Sequence, residues 1–442
     1  MPSRPQQTLI SDTRGGVALA GAAFDRITDS IRKFHRAVSG IPFRGLAPLP
    51  AVGTGSDVVR AAHDGITGGI YIAVQGIGGA AFALTEAALR TIERNVAAPG
   101  DVDPGKRELR DNVAGALNGI FGDYVAASRN SLAVRAGFYR NGAALELERS
   151  ALAAAYPLAS ARIAIFVHGL CCNEHMWQSR CSAPAENEAT ASESRSYGER
   201  LAEDIGCTPL YFRYNTGLSV ARNGRLLAKA IGQLIGNWPV TVDDIALIGH
   251  SMGGLVCRAA AHRGSHTNAA WTAKVSNVIC LGSPHLGAPL EKAVHLGVAV
   301  MDAFELSRPW ARMLEMRSVG IRDLRLGTIT DPRDRAKPAD VQKIPNARYH
   351  FIGASIGQDE RDIRGRVLGD GLVRLPSATA RRLADTDTAA LFGLHHMQLL
   401  NHPAVYRELR ERLGSADNHL VAALSPKKLP GKARRARCTR GT

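Results

Sequence analysis

A serine enclosed by glycines is the first group in this sequence that could do chemistry. The run Ile245-Ala-Leu-Ile-Gly-His-Ser-Met-Gly-Gly254 leads from four apolar residues into Gly249-His250-Ser251-Met252-Gly253, and a helix-like stretch from Leu255 to His262 follows. Strand, sharp turn and helix is the context in which such a serine becomes a nucleophile. The turn is so tight that side chains two before and two after the serine would meet neighbouring backbone, so both positions want glycine. For the pentapeptide alone, the alternative is a glycine-rich strand-to-helix turn with an idle serine.

A serine hydroxyl is a poor nucleophile without a base and a group to orient that base. Attack on a carbonyl also needs donors for the oxyanion that forms. The expected base is a histidine late in the chain, and Leu394-His-His-Met-Gln-Leu-Leu400 offers His395 and His396, while His402 reads as a cap for the last helix. The expected acid is Asp370, between two glycines in Gly369-Asp-Gly-Leu-Val373. Asp385 and Asp387 compete from a more polar stretch, and Asp359 and Asp362 fall too early. The oxyanion donors are expected to be backbone amides: Met252, at the start of the helix after the serine, and Leu170, in Val167-His-Gly-Leu170. His168 reads as structural, because Ser251 needs no third partner.

These side chains need a frame. From about residue 155, strand-like and helix-like segments alternate, which implies a mainly parallel sheet. The expected strands are 163–167, 209–214, 245–248, 278–281 and 349–352; the expected helices are 197–204, 220–235 with Ser219 as cap, 252–263 and 404–413. Residues 1–150 read as a helical N-terminal region. It includes a basic amphipathic helix around Ile27–Val38, an uncharged helix at Gly65–Thr85 packed against protein rather than crossing a bilayer, and a helix at Leu109–Ala127. A short strand is expected at Leu145–Glu148. The catalytic domain then spans 151–413, with a cap or lid insertion at about 286–345 that holds apolar runs at Leu290–Phe304 and Trp310–Leu314.

The chain has 442 residues and a net charge of +15. Lys427, Lys428, Lys432, Arg434, Arg435, Arg437 and Arg440 crowd the tail at 414–442. That tail is expected to be a disordered, solvated end, with contact to anionic lipid as the functional alternative. No specific nucleic-acid binding is expected. The seven cysteines match no zinc or redox spacing. A reduced cytoplasmic protein, peripheral to a membrane if its basic segments bind one, fits this pattern; one disulfide among Cys171, Cys172, Cys181 and Cys207 is the competing expectation.

His168-Gly-Leu170, Gly249-His-Ser-Met-Gly-Gly254, Gly282-Ser-Pro-His-Leu-Gly287, Gly369-Asp-Gly-Leu-Val373 and His396-Met-Gln-Leu-Leu400 occur in this order. The set resembles the bacterial lipase and esterase branch of the α/β-hydrolases and its relatives, the GPI-inositol-deacylase-like serine hydrolases. The resemblance covers about residues 160–413. It implies an α/β-hydrolase fold, a mostly parallel sheet flanked by helices. It also implies an oxyanion hole at Leu170 and Met252, and a histidine standing directly before Met-Gln-Leu-Leu, which favours His396 over His395. His168, Gly169, His250, His285 and Leu286 are expected to edge the substrate pocket. Bacterial lipases of this branch include members with a structural calcium ion, and no acidic cluster in this sequence can be assigned to one. The expected function is a serine ester hydrolase of the lipase or carboxylesterase type, acting on a small-molecule or lipid ester through Ser251, His396 and Asp370 without a cofactor or metal. The competing readings are an acyltransferase with the same triad, and a non-catalytic lipid-surface protein that keeps the fold.

Overall fold

The computed structural model describes residues 14–21, 104–178 except 131, 195–288, 318–330 and 341–414 except 382 and 384. The amphipathic helix at 27–38, the uncharged segment at 65–85, the apolar runs at 290–304 and 310–314, and nearly all of the basic tail lie outside the described residues. A short helix α1 at residues 14–21 precedes α2 (Pro104–Ala127).

Eight strands form one sheet in the order β2-β1-β4-β3-β5-β6-β7-β8. They are β1 (Gly137–Arg140), β2 (Ala143–Ala144), β3 (Arg162–Val167), β4 (Thr208–Arg213), β5 (Asp244–His250), β6 (Val275–Leu281), β7 (Arg348–Ser355) and β8 (Asp387–Phe392). Strands β3 to β8 run parallel to one another, and β1 joins β4 antiparallel. The central strands are apolar runs buried on both faces, as parallel strands with helices on either side must be. Ile163, Ile165 and Val167 of β3 enter one core; Ala164 and Phe166 enter the other.

The connecting helices cover those two faces. They are α3 (Arg149–Ala155), α4 (Tyr197–Ile205), α5 (Val220–Asn237), α6 (Met252–His266), α7 (Val319–Leu326), α8 (Ile363–Leu368), α9 (Leu375–Thr379) and α10 (Pro403–Gly414). Helices α5 and α6 lie on the first core, while α4 and α10 lie on the second. Their ends follow local capping chemistry. Ser219 accepts the amide of Arg222. Ser196 and Glu199 form a reciprocal box at α4, which closes on Gly206 in the left-handed conformation. Among the described residues no helix is long and apolar enough to cross a membrane.

All five strands expected in the parallel sheet are present. Three others differ from expectation. The strand expected at 145–148 lies earlier, as the β1–β2 hairpin, so the sheet reaches back before residue 150. Asn141 and Gly142, both with positive φ, make the turn, and an Asn-Gly pair is the strongest short signal for such a hairpin. Strand β8 occupies the more polar stretch around Asp387, where no strand is expected. Its six residues are half-exposed at the sheet edge, and Thr388 is their only β-branched residue. Within the insertion, α7 is helical, with Ser318 accepting the amide of Ile321.

Candidate active site

The parallel strands all end on one rim, where the loops that follow them gather. Ser251 stands between β5 and α6 with φ 53° and ψ −121°, a conformation that only a rigid surrounding imposes on a serine. The glycines around it are there for want of space. A Cβ at Gly249 would come within 2.4 Å of the Gly253 carbonyl carbon, and one at Gly253 would come within 2.1 Å of the Val167 oxygen. The Ser251 amide donates to Leu281 at the end of β6 (2.8 Å). Gly253→Ala should therefore lower the unfolding free energy by about 1–3 kcal/mol through overpacking, measured by urea titration; an unchanged midpoint would mean that the elbow can dilate.

Asp370 and His396 meet directly. His396 Nδ1 lies 2.7 Å from Asp370 Oδ2, and both side chains are buried. The other carboxylate oxygen accepts the amides of Leu372 (2.9 Å) and Val373 (2.8 Å), and the His396 amide donates to the Asp370 carbonyl (2.9 Å). The carboxylate is thus fixed on three sides. Gly369, at φ 62° and with no room for a Cβ, which would lie 2.0 Å from the Val373 oxygen, permits the turn.

His396 Nε2 is buried and has no hydrogen-bond partner. Its imidazole borders Gly282, the residue after Leu281, where an added Cβ would lie 3.2 Å from Cε1. The loop that binds the Ser251 amide thus also borders the imidazole, whose Nε2 is unpaired. His395 is exposed and serves as a cap, its amide bonded to Gln398 Oε1 at 2.8 Å. Of the competing acids, Asp387 bonds His350 and Arg412 at the far end of the sheet, and Asp362 caps α8. His402 accepts the amide of Ala404 at the start of α10.

The two expected oxyanion donors share the rim. Met252 opens α6, and the loop after β3 brings Gly169 against the serine, so that a Cβ at 169 would lie 3.2 Å from Ser251 Cβ. Among the described residues neither the Leu170 nor the Met252 amide is spent on another group. The arrangement can deprotonate an alcohol and receive an oxyanion.

The expected pocket residues separate into different roles. His168 is a strut: Nδ1 bonds the Gly169 carbonyl (2.9 Å), Nε2 accepts the Tyr214 amide (3.3 Å), and the ring stacks on Tyr214. Burial pushes it down to about 3, so it stays neutral. His250 lies under His396. Its Nε2 donates to the His396 carbonyl (3.2 Å) and the two rings pack at 4.7 Å. Burial, with His396 close by, holds it well below the ordinary range. His285 is packed inward. It is fully buried, stacks on Phe351 at 3.8 Å and accepts from Arg258 (3.0 Å). Only Leu286 faces outward, 47% exposed, at the edge of the rim.

A buried ion network beside the site went unread in the sequence. Arg213 at the end of β4 bonds Glu174 and Asp111, and His175 reaches Asp111 at 3.4 Å. Asp111, Glu174 and His175 could converge on a cation within 4.8 Å of one another. They do not suit calcium, which wants six to eight oxygens, because Arg213 already occupies both carboxylates. Cys171, Cys172, Cys207, Cys257 and Cys280 are free and buried, and Cys181 lies outside the described residues. Burial lifts the thiols of Cys171 and Cys172 to about 12, so neither is a nucleophile at neutral pH.

Comparison with known proteins matches residues 159–338 to the family model described as a PGAP1-like alpha/beta domain. That stretch contains Leu170, Ser251 and Met252 but not Asp370 or His396. No curated protein matches the sequence. Among solved structures, the mature lipase BlEst2 of Bacillus licheniformis is 19% identical, with 57% of this chain and 91% of that chain covered and a TM-score of 0.39. A Pyrococcus furiosus esterase is 15% identical (59% and 83% covered, TM-score 0.34). The Staphylococcus hyicus lipase is 13% identical (60% and 98% covered, TM-score 0.32). The sheet of parallel strands with a serine elbow after β5 is an α/β-hydrolase fold, and residues 159–338 of the chain match the PGAP1-like alpha/beta domain.

Proposed function

We propose that this protein is a serine ester hydrolase. The observation that carries the reading is the buried Asp370–His396 pair, whose outward nitrogen is unpaired beside a serine in strained backbone. Ser251 Oγ attacks the ester carbonyl carbon while His396 Nε2 takes its proton. Asp370 holds the imidazole with Nδ1–H inward and stabilises the imidazolium. Negative charge on the carbonyl oxygen falls to the Leu170 and Met252 amides. Collapse of this intermediate breaks the ester C–O bond, and His396 returns the proton to the leaving alcohol. Water, deprotonated by the same histidine, then attacks the acyl-serine and releases the acid.

Two exposed side chains at the rim support an acyl substrate. Leu286 and Leu326 stand exposed there, 47% and 61%, on segments in contact with each other through Gly287 and Arg325. An apolar border suits an acyl chain.

A fluorophosphonate probe tests the reaction. Its phosphorus is attacked by an activated serine, with loss of fluoride. The wild type should label and Ser251→Ala should not. A folded wild type that neither labels nor hydrolyses nitrophenyl esters would reject catalysis and favour a non-catalytic lipid-surface protein.

A further inference from the structure

The structure assigns to helix α2 the task of positioning the oxyanion hole, through the contact of Gly119 with Cys171. This inference rests on the reading of Leu170 given above. The residue after Leu170 is in an unusual state: Cys171 has φ 61°, the left-handed region that a non-glycine side chain occupies only when its surroundings impose it. That conformation orients the Leu170–Cys171 peptide and so anchors Leu170, whose own N–H belongs to the peptide just before it.

Two sets of contacts impose it. The Cys171 amide donates to Thr216 Oγ1 (3.2 Å). On the other side α2 lies flush against the loop. A Cβ at Gly119 would lie 2.3 Å from Cys171 Sγ, 3.1 Å from its Cα and 3.2 Å from its nitrogen. One turn earlier, a Cβ at Gly115 would lie 3.1 Å from the Cys172 oxygen. Asn112 Oδ1 accepts Asn173 Nδ2 (2.8 Å), and Asp111 meets His175 and Arg213. Residues 119, 115, 112 and 111 share one helix face. They meet 171, 172, 173 and 175 in turn, so helix and loop run against each other like two rails.

The helix is itself held. Ser318 Oγ donates to the Gly119 carbonyl (2.8 Å), Asn215 Nδ2 to the Gly122 carbonyl (2.8 Å) and Asn118 Nδ2 to the Leu132 carbonyl (2.7 Å). A methyl group at 119 therefore has nowhere to go except into Cys171. The displacement is passed through the Leu170–Cys171 peptide to Leu170, and so to its amide. An oxyanion donor acts on the charge of the transition state, so its misplacement lowers kcat and spares KM.

Gly119→Ala tests this in the full chain with a nitrophenyl ester, rates being referred to active sites titrated with a fluorophosphonate. We expect kcat to fall about 10- to 100-fold with KM within about 3-fold. Affinity for a trifluoromethyl ketone, whose serine adduct carries the oxyanion, should fall in parallel. Adding Cys171→Gly removes the sulfur that the new methyl meets and accepts a positive φ freely; it should restore kcat to within about 5-fold of wild type. Thr216→Val probes the same residue from the other side and should lower kcat about 10-fold; it decides the matter if Gly119→Ala does not fold. Wild-type kcat per titrated site in Gly119→Ala would overturn the inference. So would a loss that the second substitution leaves untouched in a folded protein, or an unaltered Thr216→Val where Gly119→Ala is unavailable. A wild type without esterase activity or labelling would instead overturn the function on which the inference rests.

Discussion

Asp370→Asn should leave the fold standing and remove about four orders of magnitude from kcat. The reason lies in how the carboxylate is divided. Oδ1 accepts two amides, from Leu372 and Val373, and Oδ2 faces His396 Nδ1. An asparagine must give its single carbonyl oxygen to one of these tasks. Two amide donors outbid one imidazole, so the carboxamide NH2 turns toward His396. Nδ1 then has to accept, and the proton moves to Nε2. A histidine protonated at Nε2 cannot take the proton of Ser251. The packing is unchanged, so the thermal midpoint should shift by only a few degrees. Steady-state hydrolysis together with a melting curve checks both parts, and a loss below about 100-fold would show that the tautomer is not set by this carboxylate. His395→Ala, which removes an exposed cap, should change kcat less than about 3-fold on the same assay.

The second large effect is acid lability. His168, His250 and His285 are each buried and neutral, with protonation driven well down by desolvation; for His168 it falls to about 3. Neighbouring groups add to this, the His396 imidazole beside His250 and the Arg258 guanidinium beside His285. The unfolded chain binds protons at these positions from about pH 6.5 downward, and the native state does not. A depressed histidine therefore contributes stability that is whole above pH 6.5 and is lost as the pH falls. Each group removes about 1.4 kcal/mol per pH unit in that window, so the three remove roughly 4. An ordinary domain has about 5–15 kcal/mol to lose, so unfolding is expected within a few pH units below 6.5. Urea midpoints should be level from pH 8 to 7 and fall steeply below 6.5. His250→Gln, which can still donate to the His396 carbonyl, should take about a third off the slope. A flat profile down to pH 5 would mean that these rings become protonated in place.

Much of the site could be read in advance, and the readable parts have a common character. The elbow depends on sterics within five residues, so Gly249, Ser251 and Gly253 announce it by identity. The Asp370 turn is equally local, written in Gly369 and Gly371. The parallel strands declare themselves as apolar runs because both of their faces must be buried. Helices α4 and α5 declare themselves by the serines that cap them. In the hairpin at Asn141-Gly142 the turn signal was present and went unused. Strand β8 was hidden because an edge strand buries only part of itself and so needs little apolar pattern.

Sequence by itself determined the order and identity of the chemical groups, since turns, caps and periodicity act between near neighbours. Tertiary structure alone decided which groups face each other across the chain. It put His285 against Phe351 and Arg258, made His168 a strut for Tyr214, and joined Arg213 to Glu174 and Asp111. It also laid Gly119 against Cys171, fifty-two positions away in the chain. A glycine in a helix says only that something comes close; what comes close depends on how every intervening segment has packed.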